Sequence, residues 1–220
     1  MDAMTVMTED KRYAARVVRK LARDYADAEC ALLFESSFQL LIATILSAQC
    51  TDQRVNIVTR ELFARFPTAE LMAGATQRQV EKLVQSAGFF RTKAKNIRAC
   101  SSAIVKEHGG EVPSRLEDLV ELAGVGRKTA NVVLGTAMGI ASGVVVDTHV
   151  GRISRRLGLT SETDPVKVER DLIELLPKKE WINYSHRMIH HGRRVCNARK
   201  PDCEGCSMNK LCPRIGVEIL

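Results

Sequence analysis

The sequence predicts an all-α protein, and three features carry that expectation. Apolar residues recur at spacings of three and four along most of the chain, the period of a helix with one buried face. Most of these segments open on a capping residue or close on Gly or Pro. The one β-branched run of note, Val144, Val145 and Val146, is too short to argue for a sheet.

In order along the chain, "FQLLIATILSAQ" stacks Phe38, Leu41, Ile42, Ile45 and Leu46 into one broad apolar stripe. "QRVNIVTRELFARF" repeats the pattern with Val55, Val58, Leu62 and Phe66, and Pro67 stops it. "TQRQVEKLVQSAG" starts at a capping Thr76 and ends at Gly88. "TKAKNIRACSSAIVKEHGG" keeps Ile97, Ser101, Ile104 and Val105 in register before two glycines. "SRLEDLVELAG" carries an S-x-x-E capping box from Ser114 to Glu117 and closes at Gly124. "KTANVVLGTAMG" and "DPVKVERDLIELLP" complete the helical series. No repeat, low-complexity segment or long linker interrupts it, so any second domain must pack closely on the first.

Composition narrows the partners. The 220 residues hold 33 Lys and Arg against 26 Asp and Glu, a formal charge of +7. Such a surface attracts polyanions, nucleic acid foremost; the competing reading is charge that only maintains solubility. The N-terminal "MDAMTVMTEDKRYAARVV" has no apolar leader core, and "LLIATILSA" is too short to span a bilayer. A soluble intracellular protein is expected.

Seven cysteines are an odd number, and without an export signal they belong to a reducing compartment. Cys30, Cys50 and Cys100 sit among small or apolar neighbours and are expected in or near the core. The other four, Cys196, Cys203, Cys206 and Cys212, are spaced C-x6-C-x2-C-x5-C and point to a metal rather than disulfides. Structural zinc sites more often use two short knuckles. Four thiolates on wider loops suit an iron–sulfur cubane, and the spacing leans that way. Between Cys196 and Cys203 the loop presents Arg199 and Lys200, a phosphate-binding surface.

"ELAGVGRKTANVVL" predicts a helix ending at Leu122, a turn through Gly124 and Gly126, and a second helix from near Arg127. Both glycines permit positive φ and close backbone approach. Amides at such a helix start suit a phosphate oxygen. The arrangement resembles a helix-hairpin-helix, which grips one DNA strand by its backbone; a plain helix–helix turn is the competing reading. Lys128 lies beside Arg127 at that helix start, where macrodipole and like charge both disfavour the ammonium. That suits an amine nucleophile, although phosphate-binding lysines occupy the same position. In "VVVDTHVGRISRRLGL", Asp147 can cap the next helix, and a carboxylate so fixed can also act as a base or steady a cation. His149 reads as a surface or supporting residue. His186 and His190 stand four apart but lack the glutamate of H-E-x-x-H.

Taken together, "FQLLIATILSAQCTDQRVN", "LAGVGRKTANVVL", "VVVDTHV" and "HHGRRVCNARKPDCEGC" resemble the endonuclease III branch of the helix-hairpin-helix DNA glycosylases over nearly the whole chain. The cysteine gaps match that family's [4Fe–4S] loop throughout. The resemblance implies base-excision repair: removal of oxidised pyrimidines from double-stranded DNA, then strand cleavage 3′ to the abasic site. It implies that Lys128 attacks C1′ of the sugar and that Asp147 activates it or steadies the oxocarbenium charge. It makes Cys196, Cys203, Cys206 and Cys212 the cluster ligands. Gln49 and Phe89 would fill the gap left by a flipped nucleotide, with Gly124, Gly126, Arg199 and Lys200 on the DNA backbone. The implied architecture is two helical lobes flanking a DNA-binding cleft. A six-helix barrel covers 30–141; 1–29 and 142–220 form a discontinuous cluster lobe. A monomer is implied, with no membrane partner, in the bacterial cytoplasm and on the nucleoid when bound.

Two positions depart from the family pattern: Ala123 stands where proline is frequent, and Phe89 where leucine is expected. The adenine-mismatch glycosylase branch shares the fold and cysteine spacing but uses a glutamate in the helix before Gln49. No carboxylate lies between Phe38 and Thr51, and Lys128 is present. The eight residues after Cys212 leave no room for an extra base-recognition domain. A non-catalytic DNA-binding iron–sulfur protein is the alternative of a different class; the presence of both Lys128 and Asp147 argues against it.

Overall fold

The computed structural model describes residues 3–217, with side chains from residue 9 onward. The described residues are all-helical and contain no strand. In chain order, α1 spans Ala3–Asp24, α2 Ser37–Leu46, α3 Asp52–Arg65, α4 Ala69–Gly74, α5 Gln77–Val84 and α6 Phe90–Glu107. Then follow α7 Leu116–Val120, α8 Arg127–Met138, α9 Thr148–Arg156, α10 Pro165–Leu175, a 3₁₀ turn at Lys178–Glu180, and α11 Trp181–Arg194. The chain divides into two compact units: Cys30–Ser142, and Met1–Glu29 joined with Gly143–Leu220.

In the first unit α2 is the buried centre. Every residue from Phe38 to Leu46 is buried, as a helix apolar on all sides requires. The polar side chains of that buried run are handled locally: Thr44 Oγ1 donates to Leu40 O at 2.7 Å and Gln39 Oε1 accepts from Glu35 N at 3.0 Å, while Ser36 caps the start by accepting from Gln39 N. Leu62 of α3, Val80 and Val84 of α5, Ile97 and Ile104 of α6 and Leu134 of α8 share its core. Each such side chain contributes roughly 1.5–3 kcal/mol by leaving water.

The second unit packs Leu21 of α1, Val150 and Ile153 of α9, Val168 and Leu172 of α10, and Tyr184 and Met188 of α11. Met208 adds the cysteine-rich tail to the same core. At Gly192, α11 meets α9 with no space to spare: a Cβ there would lie 2.5 Å from His149 Nδ1 and 2.9 Å from Ile153 Cδ1. No described helix is long and apolar enough to cross a membrane.

Several local expectations are corrected. Ser114 and Glu117 form no capping box; α7 starts at Leu116 behind Arg115, with no side-chain cap. The Arg115 guanidinium holds Glu117 and Asp118 instead, at 3.6 and 3.9 Å. α7 stops at Val120 rather than Leu122, and α5 stops at Val84 rather than Gly88. Thr76 does cap α5, in a full box with Gln79. Cys100 is fully buried, and burial pushes its thiol up to about 12. Cys30 and Cys50 are only half-buried at the core's margin. α1 and α4 lie outside the helices expected from the sequence. In α1 the signal was available, since Ala14, Val17, Val18 and Leu21 carry the helical period.

Candidate functional site

The glycine hairpin joins α7 to α8. Gly124 takes φ +79°, and a Cβ on it would meet Asn96 Cβ at 3.0 Å, so both its conformation and its packing on α6 require glycine. Gly126 differs from expectation: it is extended, at φ −97°, and caps α8 with open space around it. No side chain caps that helix, which leaves its first turn to an outside acceptor. Val125 is buried beneath the turn while Gly124, Gly126, Arg127 and Lys128 are exposed. Lys128 is therefore the second residue of an uncapped helix on an open surface.

Gln49 and Phe89 belong to the same unit as Lys128. Both are exposed, and both adopt the left-handed conformation, at φ +53° and +56°. A non-glycine residue there costs on the order of 1–3 kcal/mol and is maintained only when its surroundings enforce it. Phe89 is the N-cap of α6 and leaves 70% of its surface in water. Left-handed backbone and a largely exposed ring thus coincide at Phe89.

Asp147 lies in the other unit. It is the N-cap of α9, accepting from Val150 N at 2.8 Å, and remains half-exposed. One turn on, Arg152 Nη2 is 3.2 Å from His149 Nδ1 and donates to Gly192 O at 3.3 Å and Cys196 O at 2.9 Å. Burial pushes the His149 imidazole down from its ordinary value, opposed by the Asp147 charge. Among the described residues, Arg152 Nε is buried without a partner.

The four tail cysteines line one pocket with about 400 Å³ of space between protein atoms, part of it open to solvent. None of the four is in a disulfide. Among the described residues, no three His, Cys, Asp or Glu converge as tightly as one metal ion needs. The sulfurs are furnished with N–H donors. Arg156 Nη1 donates to Cys196 Sγ at 3.2 Å, Met208 N to Cys206 Sγ at 3.4 Å and Arg214 N to Cys212 Sγ at 3.4 Å. Such donors suit thiolate sulfur in a metal-bound state. Burial raises the Cys206 and Cys212 thiols, so a metal must displace their protons. This donor set, pocket and hydrogen bonding fit an iron–sulfur cluster.

Residues that sequence reasoning missed complete the pocket. Arg156, itself buried, also donates to Asn197 O and Ala198 O at 2.7 Å, fixing the base of the loop that exposes Arg199 and Lys200. Tyr25 Oη is 2.8 Å from His191 Nδ1, and the other ring nitrogen, Nε2, stands 3.9 Å from Cys206 Sγ. Burial first, then the Arg152 charge, holds His191 down at about 4, against the pull of Asp24. His191 is thus a neutral wall of the pocket. His186 and His190 are not among its lining residues.

Comparison with known proteins places the chain in a family. Residues 42–178 match the model of the HhH-GPD superfamily base excision DNA repair proteins. Endonuclease III of Synechocystis sp. is 53% identical over 94% of this chain and 94% of its own. Endonuclease III of Bacillus subtilis is 42% identical over 88% of each. A solved endonuclease III trapped as a covalent intermediate with DNA superposes with a TM-score of 0.87 at 40% identity, covering 93% of this chain and 96% of that one. A thermostable thymine-DNA glycosylase shares the fold, with a TM-score of 0.81 at 22% identity. The chain therefore belongs to the HhH-GPD superfamily of base excision DNA repair proteins, in its endonuclease III branch of DNA glycosylases with AP-lyase activity.

Proposed function

We propose that this enzyme removes oxidised pyrimidines from duplex DNA and then cuts the strand 3′ to the abasic site, with Lys128 as its amine nucleophile. The observation that carries the assignment is Lys128 itself, exposed in the first turn of a helix that no side chain caps. Lys128 Nζ, as free amine, attacks C1′ of a flipped nucleotide; the N-glycosidic bond breaks and the base leaves with its electron pair. Asp147 takes the amine's proton or steadies positive charge on the sugar. Opening of the ring C1′–O4′ bond yields an imine on Lys128. Loss of a C2′ proton then expels the 3′ phosphate, and water releases the enzyme. The adjacent hairpin holds the backbone through Gly124 and Gly126, and Gln49 and Phe89 occupy the vacated stack.

Cys196, Cys203, Cys206 and Cys212 would hold a [4Fe–4S] cluster, supported by their common pocket and N–H···S bonds. When bound, that group supplies a four-point covalent tie and a redox-active centre. The chain's own residues carry the binding: with the tail folded, Arg199 and Lys200 add cationic contacts to phosphate.

Borohydride trapping on duplexes carrying oxidised pyrimidines tests the reading. Wild type is expected to form a covalent complex and Lys128→Ala none; equal trapping by both would refute the nucleophile. Wild-type trapping on adenine mismatches but not on oxidised pyrimidines would refute the substrate class.

A further inference from the structure

Lys93 is a charged residue where the fold has use for an apolar one. It lies in the opening turns of α6, only 5% exposed, and among the described residues no carboxylate pairs with it. A cation near a helix N-terminus opposes the macrodipole, and a buried ammonium loses hydration that leucine or methionine would not need. Burial duly holds the Lys93 ammonium below the usual lysine range, with only the Cys50 thiol acting in its favour. Stability alone therefore does not account for Lys93.

The hydrogen bond of its side chain supplies the reason. Lys93 Nζ donates to Leu46 O at 2.8 Å across 47 residues of sequence, inside the core. Leu46 is the last residue of α2, so this carbonyl belongs to the set a helix end leaves without intrahelical partners. Three residues later comes Gln49, in a tight turn where Ser47 N returns to Ala43 O and Cys50 N to Ser47 O. On its own helix, Lys93 N donates to Phe89 O at 3.1 Å. Lys93 is thus bonded at its backbone to Phe89 and at its tip to the base of the Gln49 turn. Among the described residues, three non-glycine residues hold left-handed backbone, the exposed Gln49 and Phe89 and the half-buried Arg214 of the tail.

We propose that Lys93 is a positioning residue for lesion recognition: its buried ammonium ties the Gln49 turn to the Phe89 turn, so that both side chains enter the duplex at a fixed spacing. Two loops that move independently would each have to be ordered as the nucleotide leaves the stack. Two loops joined through the core present one rigid wedge, with that ordering done during folding. The proposal rests on the reading of Gln49 and Phe89 as the gap-filling residues.

Single-turnover excision of an oxidised pyrimidine from duplex DNA tests it, alongside cleavage of a preformed abasic site in single-stranded DNA, which needs no wedge. Lys93→Met is expected to slow duplex excision about tenfold or more while single-stranded cleavage stays within about twofold. Its thermal unfolding temperature should fall by no more than a few degrees, because removing a buried charge offsets the loss of the donor to Leu46 O. 2-Aminopurine beside the lesion should show delayed unstacking with Lys93→Met. Combined with Gln49→Ala, its effect should be less than the product of the two single effects, as two parts of one device require. A Lys93→Met protein that fails to fold, or loses duplex and single-stranded activity equally, would make Lys93 a fold residue and overturn the proposal. If Gln49→Ala and Phe89→Ala slow duplex excision and Lys93→Met does not, this proposal alone fails. If Gln49→Ala and Phe89→Ala are also without effect, the gap-filling reading fails and takes the proposal with it.

Discussion

Asp147 is given two tasks, fixing the start of α9 and, in the proposed mechanism, serving the chemistry, and one substitution separates them. Asparagine caps a helix about as well as aspartate, whereas alanine loses about 1 kcal/mol. Asp147→Asn should therefore leave the unfolding temperature and DNA affinity unchanged while slowing base release by roughly 10²–10⁴-fold. A variant that keeps full rate would leave Asp147 with the cap alone. Gly124 is the complementary case, a residue defined by geometry. Its φ of +79° and the 3.0 Å approach to Asn96 make Gly124→Ala costly by roughly 1–3 kcal/mol. Calorimetry should register that as a lowered unfolding temperature; no change would mean that the hairpin yields easily.

At the level of elements, the legible parts are those whose cause is local. Thr76 caps α5, Pro67 follows the end of α3, and the glycine turn precedes α8, because propensity and capping act within a few residues. The Ser114 box fails in register: α7 starts at Leu116 with Arg115 at its N-cap, and Arg115 pairs with Glu117. What the sequence hides is long-range. Arg156 meets Ala198 across 42 residues, Tyr25 meets His191 across 166, and Lys93 meets Leu46 across 47. No periodicity encodes such pairs; only the packed cores bring them together. For the tail, cysteine spacing singled out four residues that line one pocket, and Arg156 supplies what spacing could not: a fixed base for the basic loop. Replacing Arg199 and Lys200 by alanine should weaken DNA binding for all sequences alike and reduce the salt dependence by about two counterions. Unchanged affinity would remove the loop from the DNA interface.

For the molecule as a whole, the all-helical class was readable because the 3.6-residue period persists through nearly every segment. The two separate cores were less so, since the helical period says which face is buried but not which helices share a core. The second core is small around the tail, where Met208 is the only buried residue after Gly192 among the described residues. In the proposed reading, metal ligation supplies the order that burial does not. Purified protein should accordingly contain iron and acid-labile sulfide in equal amounts, and zinc in place of both would contradict the cluster. The central claim, that one lysine at the hairpin carries the covalent chemistry, is tested most directly by peptide mapping of the borohydride-reduced protein–DNA complex. The sugar remnant should be found on Lys128 and nowhere else; a remnant on any other amine, with Lys128 unmodified, would contradict the account.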